Sequence, residues 1–174
     1  MKVIITGHDY SGKSTVLEKI FKENNNGKMS YIHLSYREPT NYEFYKHTLE
    51  YSNFVMDRSF LDELIYPEVF GREGNLSFNE AAVLLDQVRN NDIKMYVFEC
   101  SDEEIKRRIL NRTDIEEEPE VLAQVANIKQ RYRFFATYFG IPIIDTTNKT
   151  YEEIIADMQL DSPRNKPSRL IHTK

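Results

Sequence analysis

Gly7-His8-Asp9-Tyr10-Ser11-Gly12-Lys13-Ser14-Thr15 is the stretch whose reading decides the fold. It has the form glycine, four residues, then glycine-lysine-serine or threonine. Ahead of it, Lys2-Val3-Ile4-Ile5-Thr6 is a short β-branched run; behind it, Ser14 to Glu23 sets Val16, Leu17, Ile20 and Phe21 at helical spacing. A strand enters the loop and a helix leaves it, which is the context in which this pattern cradles phosphates. Backbone N–H groups wrap a polyphosphate without loss of side-chain entropy, and Gly7 and Gly12 let the chain take the turns. The helix N-terminus adds free N–H groups and the positive end of its dipole. Residues Gly7 to Thr15 are therefore candidates to hold ATP, with Lys13 reaching the β- and γ-phosphates and the Ser14 hydroxyl ligating Mg²⁺.

Working outward, apolar strand-like runs alternate with helical segments. This is the signature of an α/β fold, a five-stranded parallel sheet with helices on both faces. Strands are expected at Lys2–Thr6, Ser30–Ser35, Asn53–Asp57, Ile93–Glu99 and Ile141–Ile144, and helices over Thr40–Ser52 and Ser77–Asn91. Ser77 with Glu80, Ser101 with Glu104, and Thr150 with Glu153 are capping-box signatures. Pro119 suits the first turn of the longest helix and Gly140 its end. From 161 to 174 the chain is a basic, proline-interrupted tail without periodicity, expected to be disordered or packed on a neighbour.

A chain of 174 residues suits one domain with a single core. Cys100 is the only cysteine, so neither an intrachain disulfide nor a two-cysteine metal site can form, and a small buried hydrophobe is its expected role. With 23 basic against 28 acidic residues, the net charge of −5 argues against a surface that coats polyanions, and any phosphate site must be local. No apolar run approaches membrane-spanning length, and the first strand begins at once, so a soluble cytoplasmic protein is expected.

A phosphate loop does not by itself choose a reaction. In an open parallel sheet, ligands lie beyond the carboxyl ends of the strands, and charged residues gather there. The second strand leads to Arg37-Glu38-Pro39; the third ends in Asp57-Arg58-Ser59. Asp57 closes an apolar strand and is the candidate to order Mg²⁺ beside Ser14; Glu99, closing the fourth strand, is the rival. Asp57 is preferred because Arg58 beside it can hold a phosphate. After the fourth strand, Lys106, Arg107, Arg108 and Arg112 fall within two helical turns, so several share one side. Arginines on a closing segment can neutralise a phosphoryl group in flight and exclude water. Elsewhere they would be a solvated face balanced by Glu116, Glu117 and Glu118.

Together these residues resemble the thymidylate kinase family of nucleoside monophosphate kinases. The resemblance runs through the phosphate loop, Arg37-Glu38-Pro39, Asp57-Arg58, the arginine-rich lid over about 107–118 and Arg131-Tyr132. The run Asp57 to Tyr66 is similar to that of small kinases of bacterial viruses. The resemblance implies a kinase domain over 1–160 that uses ATP and Mg²⁺. It implies that Asp9 contacts the acceptor sugar or orders the metal, and that Arg58 and Arg37 grip the acceptor monophosphate. Tyr66 would disfavour a ribose 2′-hydroxyl, and Arg107, Arg108 or Arg112 would reach the transferring phosphate. Tyr10 stands where some members carry a catalytic arginine, so that charge must come from the lid. Members commonly dimerise, and the apolar helix face Ala81–Leu85 is a candidate for a homodimer contact as well as for the core. One departure stands out: Thr40 to Phe54 is shorter than the family's base-recognition segment. Tyr42, Phe44, Tyr45 and His47 are candidates to meet a base there, or to pack in the core.

The expected activity is phosphoryl transfer from ATP to a deoxynucleoside 5′-monophosphate, with dTMP or a related pyrimidine nucleotide as acceptor. A monophosphate is already ionised, so positioning and charge stabilisation suffice. The first alternative is a deoxynucleoside kinase, in which Glu38 would be the base for a 5′-hydroxyl. A polynucleotide or modified-base DNA kinase, disfavoured by the acidity, and a non-catalytic nucleotide sensor complete the set. His8, His33 and His172 have no partner that the sequence names.

Overall fold

The computed structural model describes residues 1–35, 40–111 and 119–160. Strands β1 (Lys2–Gly7), β2 (Ser30–His33), β3 (Phe54–Asp57), β4 (Lys94–Glu99) and β5 (Ile143–Asp145) form one sheet in the order β2-β3-β1-β4-β5. Every neighbouring pair is parallel. The helices are α1 (Lys13–Asn24), α2 (Tyr42–Thr48), α3 (Asp62–Phe70), α4 (Phe78–Asn90), α5 (Asp102–Leu110), α6 (Pro119–Phe139) and α7 (Tyr151–Asp157).

Because side chains alternate along a strand, the sheet sorts its residues into two cores. Val3, Ile5, Val55, Tyr96 and Phe98 meet Val16, Leu17 and Ile20 of α1 and Ile154 of α7. Ile4, Phe54, Met56, Met95 and Val97 meet the opposite layer, which contains Tyr45 of α2, Ile65 of α3, Leu84 of α4 and Ile128 of α6. The result is three layers, helix–sheet–helix. Ala81, Leu84 and Leu85 are spent in this second core, and of that helix face Val83 is the exposed member.

The caps explain where several helices begin. Ser77–Glu80 and Thr150–Glu153 form complete, reciprocal capping boxes. At Ser101 only half of the box forms: the Ser101 hydroxyl accepts from the Glu104 N–H, while the Glu104 carboxylate turns to Arg107 and Arg108. α2 is shorter than the expected Thr40–Ser52 helix and is capped by the Asn41 side chain. α3 has no counterpart among the expected elements, because Pro67 lies inside it and proline reads as a helix breaker. The tail from 161 to 174 and most of the lid, 112–118, lie outside the described residues.

β1 runs against β4 at its end, where Gly7 pairs with Phe98. Gly7 has φ +141°, and a Cβ there would stand 2.1 Å from the Phe98 carbonyl oxygen. Only glycine fits both demands. Gly7→Ala should therefore cost at least about 2 kcal/mol of folding free energy, read as a lowered urea midpoint with an unchanged slope.

Candidate functional site

The loop between β1 and α1 takes two left-handed turns, at Tyr10 (φ 66°) and Gly12 (φ 88°), and delivers α1 with its N-terminus facing the cleft. Lys13 is buried, and its ammonium donates to the His8 carbonyl at 2.8 Å and to Ser11 Oγ at 3.5 Å. Burial pulls it below the usual lysine value, with Asp9 pulling the other way. A lysine folded back on its own loop is a cation whose present partners are neutral, and an anion would bind it more strongly.

His8, buried, ties the loop to the strand beside it. Its Nε2 accepts the Cys100 N–H at 3.1 Å, which leaves Nδ1 to donate to the Asp9 carbonyl at 2.7 Å. Burial, with Lys13 adding to it, pulls the imidazole down to about 4.

Asp9, Arg58 and Tyr66 form one cluster. Arg58 Nη2 donates to Asp9 Oδ1 at 3.1 Å and the Tyr66 hydroxyl donates to Asp9 Oδ2 at 2.9 Å. The guanidinium lies over the Tyr66 ring, 5.5 Å from its centre. Burial pushes the Asp9 carboxyl up, but Lys13, Arg58 and the Tyr66 hydrogen bond outweigh it, and it sits below the usual range. Arg58 has φ 76°, and its N–H bonds the Ile5 carbonyl at 2.9 Å, so the strand end itself enforces an uncommon conformation for a long side chain. Asp62 holds the turn beyond: it accepts the Ser59 N–H at 2.8 Å, the Thr6 hydroxyl at 2.7 Å and the Tyr132 hydroxyl at 2.7 Å.

On the other side of the loop, Ser14 Oγ donates to Asp57 Oδ2 at 2.5 Å. Asp57 is 1% exposed, and its Oδ1 has no hydrogen-bond partner among the described residues. A buried carboxylate oxygen left bare beside a serine hydroxyl fits a hard cation such as Mg²⁺, which takes one or two protein ligands plus phosphate oxygens and water. Among the described residues no three His, Cys, Asp or Glu side chains cluster as a self-sufficient metal cage. Glu99 is instead engaged by Arg133 of α6, with bonds of 2.6 and 3.0 Å.

Of the lid arginines, Arg107 and Arg108 are described. The buried Glu104 carboxylate accepts from both, at 2.6 and 2.8 Å from Arg107 and 2.7 Å from Arg108, and the Arg107 bonds foremost hold it at about 2. Arg108 also donates to the Tyr10 carbonyl at 2.6 Å and to the Thr146 carbonyl at 2.9 Å, while Thr146 Oγ1 donates to the Ser11 carbonyl at 2.8 Å. Arg37, Glu38 and Arg112 lie outside the described residues. Tyr45 is a core residue bonded to Thr40 and Glu63, whereas Phe44 and His47 face outward. Asp9, Lys13, Ser14, Asp57, Arg58 and Arg108 line one cleft of about 400 Å³, ample for a nucleotide's phosphates.

No protein-family model matches the chain, and no curated protein sequence matches it. Solved structures do. The YorR protein of Bacillus subtilis, in complex with phosphorylated GDP, aligns with a TM-score of 0.74 at 22% identity, over 91% of this chain and 94% of its own. Thymidylate kinase from Candida albicans aligns at 0.59 and 15% identity, over 90% and 88% of the two chains. Deoxyadenosine kinase from M. mycoides with bound dCTP aligns at 0.56 and 17%, over 91% and 97%. The fold is that of the P-loop kinases.

Within this P-loop kinase fold, several site residues have no sequence signal of their own. His33, Asp62 and Thr146 acquire their long-range partners only through the sheet register and helix packing. Among the described residues, no helix is long and apolar enough to cross a membrane.

The buried neutral His8 carries a pH signature. Its folded value, about 4, is below the unfolded 6.5, so the unfolded chain binds a proton that the folded one rejects. The stability it contributes is complete above pH 6.5 and is lost as pH falls toward 4, on the order of 3 kcal/mol in all. Denaturant midpoints of the wild type should drop across that window, and His8→Gln should flatten the slope there.

Proposed function

We propose that the protein transfers the γ-phosphoryl group of ATP to a deoxynucleoside 5′-monophosphate, dTMP or a related pyrimidine nucleotide, giving the diphosphate. The observation that carries this reading is the Asp9–Arg58 pair. A guanidinium offers five N–H donors, and Asp9 takes one of them, so Arg58, which lines the same cleft as Lys13, keeps donors for a second phosphate. The described carboxylates of the cleft are engaged: Asp9 by Arg58 and Tyr66, and Asp57 through Oδ2 by Ser14 and His33, with Oδ1 left for the cation. In this reading neither serves as a base, since a monophosphate acceptor is already ionised; Glu38, the base of the alternative, lies outside the described residues. The likeness to the thymidylate and deoxyadenosine kinases and to YorR with its bound nucleotide agrees with a nucleotide substrate.

In this reading the loop N–H groups and Lys13 hold the ATP phosphates, and Arg58 orients the acceptor in line with them. Ser14 and Asp57 would hold Mg²⁺, which would supply positive charge to the phosphate oxygens. Tyr66, whose hydroxyl proton goes to Asp9, is the wall that disfavours a ribose 2′-hydroxyl. The lid charge for the transferring group comes from Arg107, Arg108 or Arg112, and Arg108, which lines the cleft, also fastens the loop that bears Lys13.

An ATP-consumption assay with Mg²⁺ across deoxynucleosides and their 5′-monophosphates tests the reading. Turnover should be confined to one or two monophosphates. Turnover on free nucleosides would move the bet to Glu38 as base, and silence on both panels would point to a nucleic-acid substrate or a sensor. Lys13→Met should lower kcat by 10²- to 10³-fold or more, as an order of magnitude. Arg58→Ala should raise KM for the monophosphate roughly 10- to 100-fold with little change for ATP; an equal loss for both would make Arg58 structural.

A further inference from the structure

In the parallel register, His33 of β2 is the direct neighbour of Asp57 of β3, on the face that carries α1. Its Nδ1 lies 3.1 Å from Asp57 Oδ2, the oxygen that also receives the Ser14 hydroxyl. The imidazole is 56% exposed and lines the same cleft as Lys13 and Arg58. Orienting Asp57 does not require it, because Ser14 already donates to that carboxylate. The other described histidine of the loop, His8, has both ring nitrogens committed. Two ligands in adjacent positions of an octahedral cation, each about 2.1 Å from it, stand about 3.0 Å apart. Nδ1 stands 3.1 Å from Oδ2 of the carboxylate whose Oδ1 is bare among the described residues, so the ring is within reach of a cation held by Asp57.

We propose that His33 Nδ1 is a direct ligand of the divalent cation held by Ser14 and Asp57, and that the site therefore favours Mn²⁺ over Mg²⁺ more than oxygen ligands alone would. This rests on reading Ser14 and Asp57 as the cation site. Mg²⁺ takes oxygen ligands and keeps its water tightly, whereas first-row transition ions accept imidazole nitrogen readily. While bonded to Asp57, the ring carries its proton on Nδ1; as a ligand it carries the proton on Nε2, and a half-exposed ring exchanges the two forms through water. β2 is the edge strand of the sheet, so the ring can move toward the cation without disturbing a second neighbouring strand.

The test is Mn²⁺ binding to the full-length protein with ADP, measured by the free-ion spin resonance signal and by pulsed resonance on protein labelled with ¹⁵N-histidine. A nitrogen coupling that follows the histidine label, lost in His33→Leu together with at least about tenfold of Mn²⁺ affinity and less of Mg²⁺ affinity, is the expected result. Mn²⁺ that is released by Asp57→Asn but shows no histidine coupling would overturn the proposal and leave the Ser14–Asp57 site standing. Affinity untouched by Asp57→Asn would overturn both.

Discussion

The site depends on the two-residue period of the strands. In β1, β2 and β3 the odd-numbered residues Val3, Ile5, Tyr31 and Val55 face α1, and the same parity turns His33 and Asp57 toward that helix. Asp57 reaches the first turn of α1 because everything below it on that face is apolar and fixed against Val16 and Leu17. A slip of one residue in β3 would send the carboxylate into the opposite core, where Met56 now lies. Packing therefore positions the chemistry: the same contacts that bury the sheet aim its last residue at Ser14.

The Asp9–Arg58–Tyr66 cluster shows a different balance. Partly buried ion pairs repay little more than their desolvation, yet removing one partner leaves the other stranded at a cost of several kcal/mol. Arg58 also sits at positive φ. Such an arrangement does little for overall stability and fixes a guanidinium before any ligand arrives. An electrostatically organised cleft spares the reorganisation that a mobile arginine would need at the moment of reaction.

Much of this was legible beforehand. The loop, the five strands and the Asp57–Arg58 strand end follow from local pattern, since period, capping and glycine placement are local properties. What stayed hidden is what register and packing decide. His33 meets Asp57 through a pairing across 24 residues, and Arg133 reaches Glu99 across 34. Glu104 carried the spacing of a capping box, but two arginines on the same helix compete for its carboxylate and win. α3 was masked by Pro67, which is tolerated although the Glu63 carbonyl one turn earlier can receive no N–H from it.

The Arg108 clamp bears on how the protein is made. Through Arg108 and Thr146 the loop carbonyls of Tyr10 and Ser11 are tied to residues 98 and 135 positions later. The loop between β1 and α1 is thus held in shape by α5 and by the turn that follows β5. During synthesis the strand and helix around the loop can form early, but the clamp on the loop is complete only when the turn after β5 docks. The fixed shape of the loop is then a late-acquired property of the chain, and a product cut short before β5 would present the motif without its clamp.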